Sequence, residues 1–216
     1  MTPLPDGFKH IYDISVLLGS ETINYPGDTP YSRQSIVTVA SGGYNLSKMV
    51  LNAHNGTHID IPLHFIPDRK SIDRYPVQDF IFPALVVEIS GKTPVQSQEL
   101  NNLDISPGDA LLFKTNNSIS GKNRSGKFSR DFVYLTSEAA GYCVKKKAAL
   151  VGIDYVTIEK SGDESYPVHH TLLEHDIFIL EHIDLKEIQP GRYTLFCLPL
   201  KIEGGEASPV RAILLK

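Results

Sequence analysis

A chain of 216 residues that is 41% hydrophobic and 21% charged, with 16 Gly and 14 Pro, has the balance of a folded globular protein, which excludes low-complexity and fibrous classes. Its 21 basic and 25 acidic residues leave a formal charge of −4, so no electrostatic surplus draws it to nucleic acid or an anionic membrane. The length suits one domain covering residues 1–216.

At the start, MTPLPDGFKH shows no basic stretch followed by an apolar run, and no segment of about 18 consecutive apolar residues follows. A soluble, cytoplasmic protein is expected. In chain order, β-rich runs are expected at Ile11–Leu17, Ser35–Ala40, Leu46–Asn52, Ala84–Ile89, Ala110–Lys114, Ala149–Ile153, Ile177–Leu180, Tyr193–Leu198 and Val210–Leu215. The pattern predicts a helix over Ser137–Lys147, with Ser137 as N-cap and lysines at the negative end of its dipole, and a second over Val168–Glu174. The polar stretch 116–130, carrying Gly121 and Gly126, reads as an exposed loop. Thr136, the first helix and the strand after it form a β-α-β unit, so a mixed, sheet-rich α/β domain is expected.

Histidine is unevenly placed. His54, His58 and His64 cluster in one segment, and His169, His170, His175 and His182 in another. In the first, HNGTHIDIPLHF over 54–65, Gly56 and Pro62 rule out a continuous helix, so a turn followed by an extended stretch is expected. Extended, His58 and Asp60 project to one face and Ile59 and Ile61 to the other, while Gly56 folds His54 back toward the same point. Imidazole and carboxylate without thiolate suit Zn²⁺, Mn²⁺ or Fe²⁺. A lone histidine in a strand is usually a surface or hydrogen-bonded residue; three with an interleaved aspartate shift the balance to a metal site.

That segment matches H-x-G-T-H-x-D-x-P-x-H-F throughout and resembles the signature of the metal-dependent hydrolases of the cyclase family, which includes bacterial kynurenine formamidases and isatin hydrolases. Asp13-Ile-Ser15, Tyr25-Pro-Gly-Asp28, the Gly152 to Thr157 segment and Ser208 to Ala212 are similar to other family pieces. The resemblance implies a swivelling β/β/α fold, a homodimer or homotetramer, and a small-molecule substrate. It further implies His54, His58, Asp60, His169 and Glu181 as ligands of one or two divalent ions, zinc or manganese. The second half rests on the family spacing of a histidine, two leucines and a glutamate twelve residues after the histidine, which His169, Leu172, Leu173 and Glu181 satisfy. His170 is one residue off register, and surface or structural roles are expected for His170, His175 and His182. His64, the remaining polar group of the motif, is the expected catalytic acid/base that protonates the leaving nitrogen.

The activity so implied is metal-assisted hydrolysis of a carbon–nitrogen amide-type bond, as in an arylformamidase converting N-formylkynurenine to kynurenine and formate. Alternatives are an isatin-like lactam hydrolase, a metal-dependent cyclase or lyase, and a non-catalytic metal-binding protein. Relative to the formamidase branch, Thr57 stands where Ala is usual, Phe65 where Tyr is usual, and Tyr25 where Trp is favoured. Two weaker patterns carry nothing. The 121–128 stretch approaches a phosphate-binding loop, but Phe128 replaces the required hydroxyl, and Cys143 and Cys197 have no activating neighbours, so both are expected reduced and buried.

Overall fold

The computed structural model describes residues 7 and 9–216; most of the N-terminal stretch examined for a leader therefore lies outside the described residues. The chain forms β1 (Ile11–Asp13), β2 (Ser32–Val37), α1 (Val39–Gly42), β3 (Leu46–Val50), β4 (His58–Asp60), β5 (Ile81–Glu88), β6 (Ala110–Lys114) and α2 (Asn116–Ile119). Then come α3 (Ser137–Lys145), β7 (Leu150–Ile153), α4 (Pro167–Leu173), β8 (Phe178–Glu181), β9 (Gly191–Phe196), β10 (Ala207–Pro209) and β11 (Ile213–Leu215). Nine strands make one sheet in the order β1-β11-β9-β5-β6-β7-β8-β4-β10, parallel from β5 through β8 and antiparallel toward both edges. This is the expected mixed, sheet-rich α/β architecture.

Both faces of the parallel centre are buried, which is why those strands read as continuous apolar runs. One face carries Ala84, Val86, Leu112, Leu150 and Leu180; the other carries Val87, Leu111, Phe113, Val151 and Ile179 and is covered by α3 and α4. Gly152 of β7 faces a space with no room for a side chain. A methyl group there would lie 2.5 Å from Leu112 Cδ2 and 3.4 Å from the Leu180 carbonyl oxygen, with both strands locked in the ladder. Gly152→Ala should therefore lower stability by about 1–3 kcal/mol through overpacking. The fall in melting temperature, roughly 2–4 °C per kcal/mol at this size, reads the effect by thermal unfolding.

Several elements depart from the expected ones for identifiable reasons. The N-cap of α3 is Thr136 rather than Ser137, because the Thr136 hydroxyl accepts from the Ala139 N–H. The run expected to extend to Ala40 ends at Val37, where the chain turns into α1 and returns as β3, giving a separate two-stranded hairpin. Residues 116–130 are not an exposed loop throughout: Asn117, Ser118 and Asn123 are buried, with Asn117 Nδ2 donating to the Val133 carbonyl at 2.8 Å. The strand expected over Val210–Leu215 is shortened to β11, Val210 makes only an isolated bridge to Pro199, and β10 just before it is unexpected. Cys143 and Cys197 are free and buried, as expected.

Candidate metal centre

Gly56, at φ 69°, makes the turn that precedes β4 and lets its carbonyl accept from His58 Nδ1 at 2.9 Å. In β4 the expected alternation holds: Ile59 lies in the apolar core while His58 and Asp60 share the opposite face. Antiparallel register sets His58 directly across from Glu181 of β8, and cross-strand partners project to the same face. His58 Nε2 consequently lies 3.4 Å from Glu181 Oε2 and 3.6 Å from Asp60 Oδ1. His54 folds back over this face, its Nδ1 2.9 Å from Asp60 Oδ1.

The last member comes from α4. His169, its third residue, turns Nε2 toward Glu181 Oε1 at 3.5 Å and gives Nδ1 to Glu159 Oε2 at 3.0 Å. Glu159 also accepts from the Val168 and His169 N–H groups at 3.0 and 3.2 Å. It thereby caps a helix whose own N-cap, Tyr166, is in the left-handed region and offers no side-chain cap. Two triplets result, His54 with His58 and Asp60, and Asp60 with His169 and Glu181, each presenting ligand atoms within 4.8 Å of one another. Asp60 is common to both.

The electrostatics of this cluster fit a cation. His58 Nε2 and Asp60 Oδ2 are buried without any hydrogen-bond partner, and Asp60 Oδ1 has only the His54 imidazole beside it at 2.9 Å. Because the Nδ1 atoms of His58 and His169 are committed to oxygen acceptors, their Nε2 lone pairs face carboxylate oxygens, an arrangement that is repulsive until a positive charge lies between them. Burial opposes charge on His54 and His169, yet the surrounding carboxylates outweigh it: Asp60 lifts His54 to about 9, and Glu159 with Glu181 lifts His169 to about 10. Burial would likewise raise the Asp60 carboxyl, but His54, His64 and His58 hold it well below the ordinary carboxylate range. Protons bind tightly where these groups crowd together, and a divalent ion satisfies the same atoms with protons released.

Comparison with known proteins accords with that geometry. The Cyclase family model matches residues 12–160, more than half of the chain. The chain belongs to the cyclase family. It is 34% identical over 203 residues to the kynurenine formamidase of Bacillus cytotoxicus, covering 94% of this chain and 95% of that protein. Among solved structures, a predicted metal-dependent hydrolase from Bacillus stearothermophilus is 29% identical with a TM-score of 0.81, covering 95% of this chain and 98% of that one. An isatin hydrolase bound to the product analogue thioisatinate shares the fold, with a TM-score of 0.83 at 23% identity, covering 95% of this chain and 92% of that one. The chain is thus a cyclase-family enzyme of the metal-dependent hydrolase class, as its motifs imply.

In this cyclase-family cavity, of about 190 Å³, the remaining motif residue His64 lies beside the triplets, its ring 4.3 Å from that of His54 and 6.2 Å from that of His169. Burial, more than any neighbouring charge, lowers its pKa. His170 faces outward and approaches Glu174 at 3.5 Å; His175 Nδ1 donates to the Thr171 carbonyl of α4, and His182, directly after β8, is buried. Phe65 stacks on His169 at 4.8 Å, and Tyr25 and Tyr166 complete an aromatic wall. By its resemblance to the family Glu159 is an acidic position that preserves hydrogen bonding, but its partner His169, ten residues on, leaves no local spacing to detect, and nothing in the sequence singles out Glu206, 3.5 Å from His54 Nε2. Glu159→Gln keeps the shape but removes the charge that orients His169, so metal affinity measured by competition with a chelating dye should fall about 10–100-fold.

Proposed function

We propose that this hydrolase cleaves the amide bond of an aryl formamide, with His54, His58, Asp60, His169 and Glu181 holding zinc or manganese. The observation that carries the reading is the convergence of buried ligand atoms, with Asp60 Oδ2 and His58 Nε2 unpartnered, at the base of an aromatic-walled cavity. Two triplets sharing Asp60 favour two ions per chain over one. The formamidase activity carried in the name of the Bacillus cytotoxicus relative supports the substrate class.

When bound, a divalent ion there supplies an acidified water and polarises the amide carbonyl. The chain's own residues do the rest. Glu159 fixes His169 in the tautomer that offers Nε2, and the Gly56 carbonyl does the same for His58. Phe65, Tyr25 and Tyr166 exclude water and hold a planar ring against the ligand cluster. His64, whose imidazole makes no ion pair or hydrogen bond among the described residues and whose burial favours the neutral ring, is placed to take a proton from the attacking water and pass it to the leaving nitrogen.

Lactam opening is the second reading, left open by Thr57, Phe65 and Tyr25, which depart from the formamidase pattern. Purified, metal-analysed protein should release formate from N-formyl-L-kynurenine or from N-formylaniline. Ring opening of isatin without formate release from either would transfer the assignment to the lactam class. The active form is read as a homodimer or homotetramer in the cytoplasm. In support, the β2–β3 hairpin leaves Ile36, Leu46 and Met49 exposed, and among the described residues no helix is long and apolar enough to cross a membrane. Light scattering giving the mass of one chain would overturn the oligomer.

A further inference from the structure

Three imidazoles face the ligand cluster, and a neutral ring offers a lone pair inward only when its other nitrogen holds its proton outward. For His58 the outer acceptor is the Gly56 carbonyl at 2.9 Å, and for His169 it is Glu159 at 3.0 Å. His54 is turned the other way round. Its Nδ1 points inward, 2.9 Å from Asp60 Oδ1, so the outward nitrogen is Nε2. In that direction lies Glu206, whose Oε1 is 3.5 Å away.

The Glu206 side chain is 43% exposed, and an exposed carboxylate beside an imidazole contributes little when both groups are free to move. Here the backbone that carries it is pinned on both sides. The Gly205 carbonyl accepts from the Ile72 N–H at 2.9 Å, and the Glu206 carbonyl accepts from the Ile61 N–H at 3.2 Å. The next residue, Ala207, opens β10 and is registered against Asp60 of β4. A methyl group on Gly205 would lie 3.2 Å from both Ile202 and Ile72, so the approach leaves no slack. Glu206 therefore projects from a fixed point beside the pairing that holds Asp60. Its one ion-pair contact among the described residues is His54.

We infer that Glu206 is a positioning residue for the metal centre: it accepts a hydrogen bond from His54 Nε2 and fixes the tautomer whose Nδ1 lone pair serves the ion. The inference rests on the metal reading above and adds a third outer acceptor to those of His58 and His169. This one is brought by β10, about 150 residues along the chain from its imidazole.

The test is zinc affinity, measured by competition with a chelating dye, in wild type, Glu206→Gln and Glu206→Ala. Glu206→Ala should weaken zinc about tenfold, the lower end for the outer partner of a ligating histidine, because the contact is long and half open to water. Glu206→Gln, which keeps an acceptor oxygen without the charge, should fall between. In excess chelator both variants should melt with wild type, since the carboxylate orients a ligand rather than holding the fold. Unchanged zinc affinity, or a loss matched by a lower melting temperature of the chelated protein, overturns the inference.

A second measurement reads the ring itself. Long-range 1H–15N NMR of the zinc-loaded protein should show the His54 proton on Nε2, and a proton on Nδ1 overturns the role of Glu206. Wild type that binds neither zinc nor manganese overturns the metal reading and this role with it, whereas zinc binding that the Glu206 variants leave intact overturns this role alone.

Discussion

Asp60→Ala should yield a protein that is metal-poor and inactive at once, with turnover down about 10³-fold or more, since the ions contribute several kcal/mol to the transition state. Asp60 is the one residue common to both ligand triplets, and both its oxygens are buried, Oδ2 without a partner and Oδ1 against the His54 imidazole. Removing it leaves neither triplet complete. In wild type, an ion at about 1,000 times its dissociation constant stabilises the fold by about 4 kcal/mol. Chelation should therefore lower the melting temperature by roughly 8–16 °C. Asp60→Ala should melt at the same temperature with and without chelator, and a chelator-dependent shift in that variant would remove Asp60 from the site. The affinity should also depend on pH in a definite direction. With His54 raised to about 9 and His169 to about 10, both imidazoles carry protons near neutrality that an ion must displace, so affinity weakens as pH falls. Titration at pH 6 and pH 8 should show proton release on binding, up to two per chain.

His64→Asn should separate chemistry from binding. The ring lies against His54 but belongs to neither triplet, so metal content by elemental analysis should match wild type. Turnover should fall about 10²–10⁴-fold, the contribution of a positioned general acid or base. A variant as metal-poor as Asp60→Ala would make His64 a ligand. A variant with full metal and full turnover would transfer the proton delivery to another group.

The first half of the site was legible because it is local. A glycine turn and two alternating positions suffice to bring His58 and Asp60 to one face, and β4 follows that geometry. The second half was legible only through family spacing. His169 and Glu181 belong to a helix and a strand that meet by tertiary packing, and Glu159 reaches back across that junction. Strand β6 coincides with its apolar run, Ala110–Lys114, since both its faces are buried. By contrast β10 is three residues ending in proline, with no alternation to read; it is a strand because β4 offers it an open edge. The 116–130 stretch misled in the opposite sense. Asn117, Ser118 and Asn123 are internal, and at its start the Thr115 and Ser118 N–H groups and the Thr115 hydroxyl are all directed at the buried Asp154 carboxylate at 2.7–3.0 Å.

The position of β4 in the sheet also governs when the site can exist. Its two partners are β8, reached only after residue 178, and β10, which ends at residue 209. These are among the most distant pairings in the chain, and closing such long loops is slow compared with forming local structure. During synthesis the motif at 54–65 emerges before β8 and β10, and its imidazoles and carboxylate remain an open, low-affinity set until those two strands have followed it. Metal acquisition is in this way deferred to the last stage of folding, and an ion captured earlier by the exposed histidines can still exchange before the cavity closes over it.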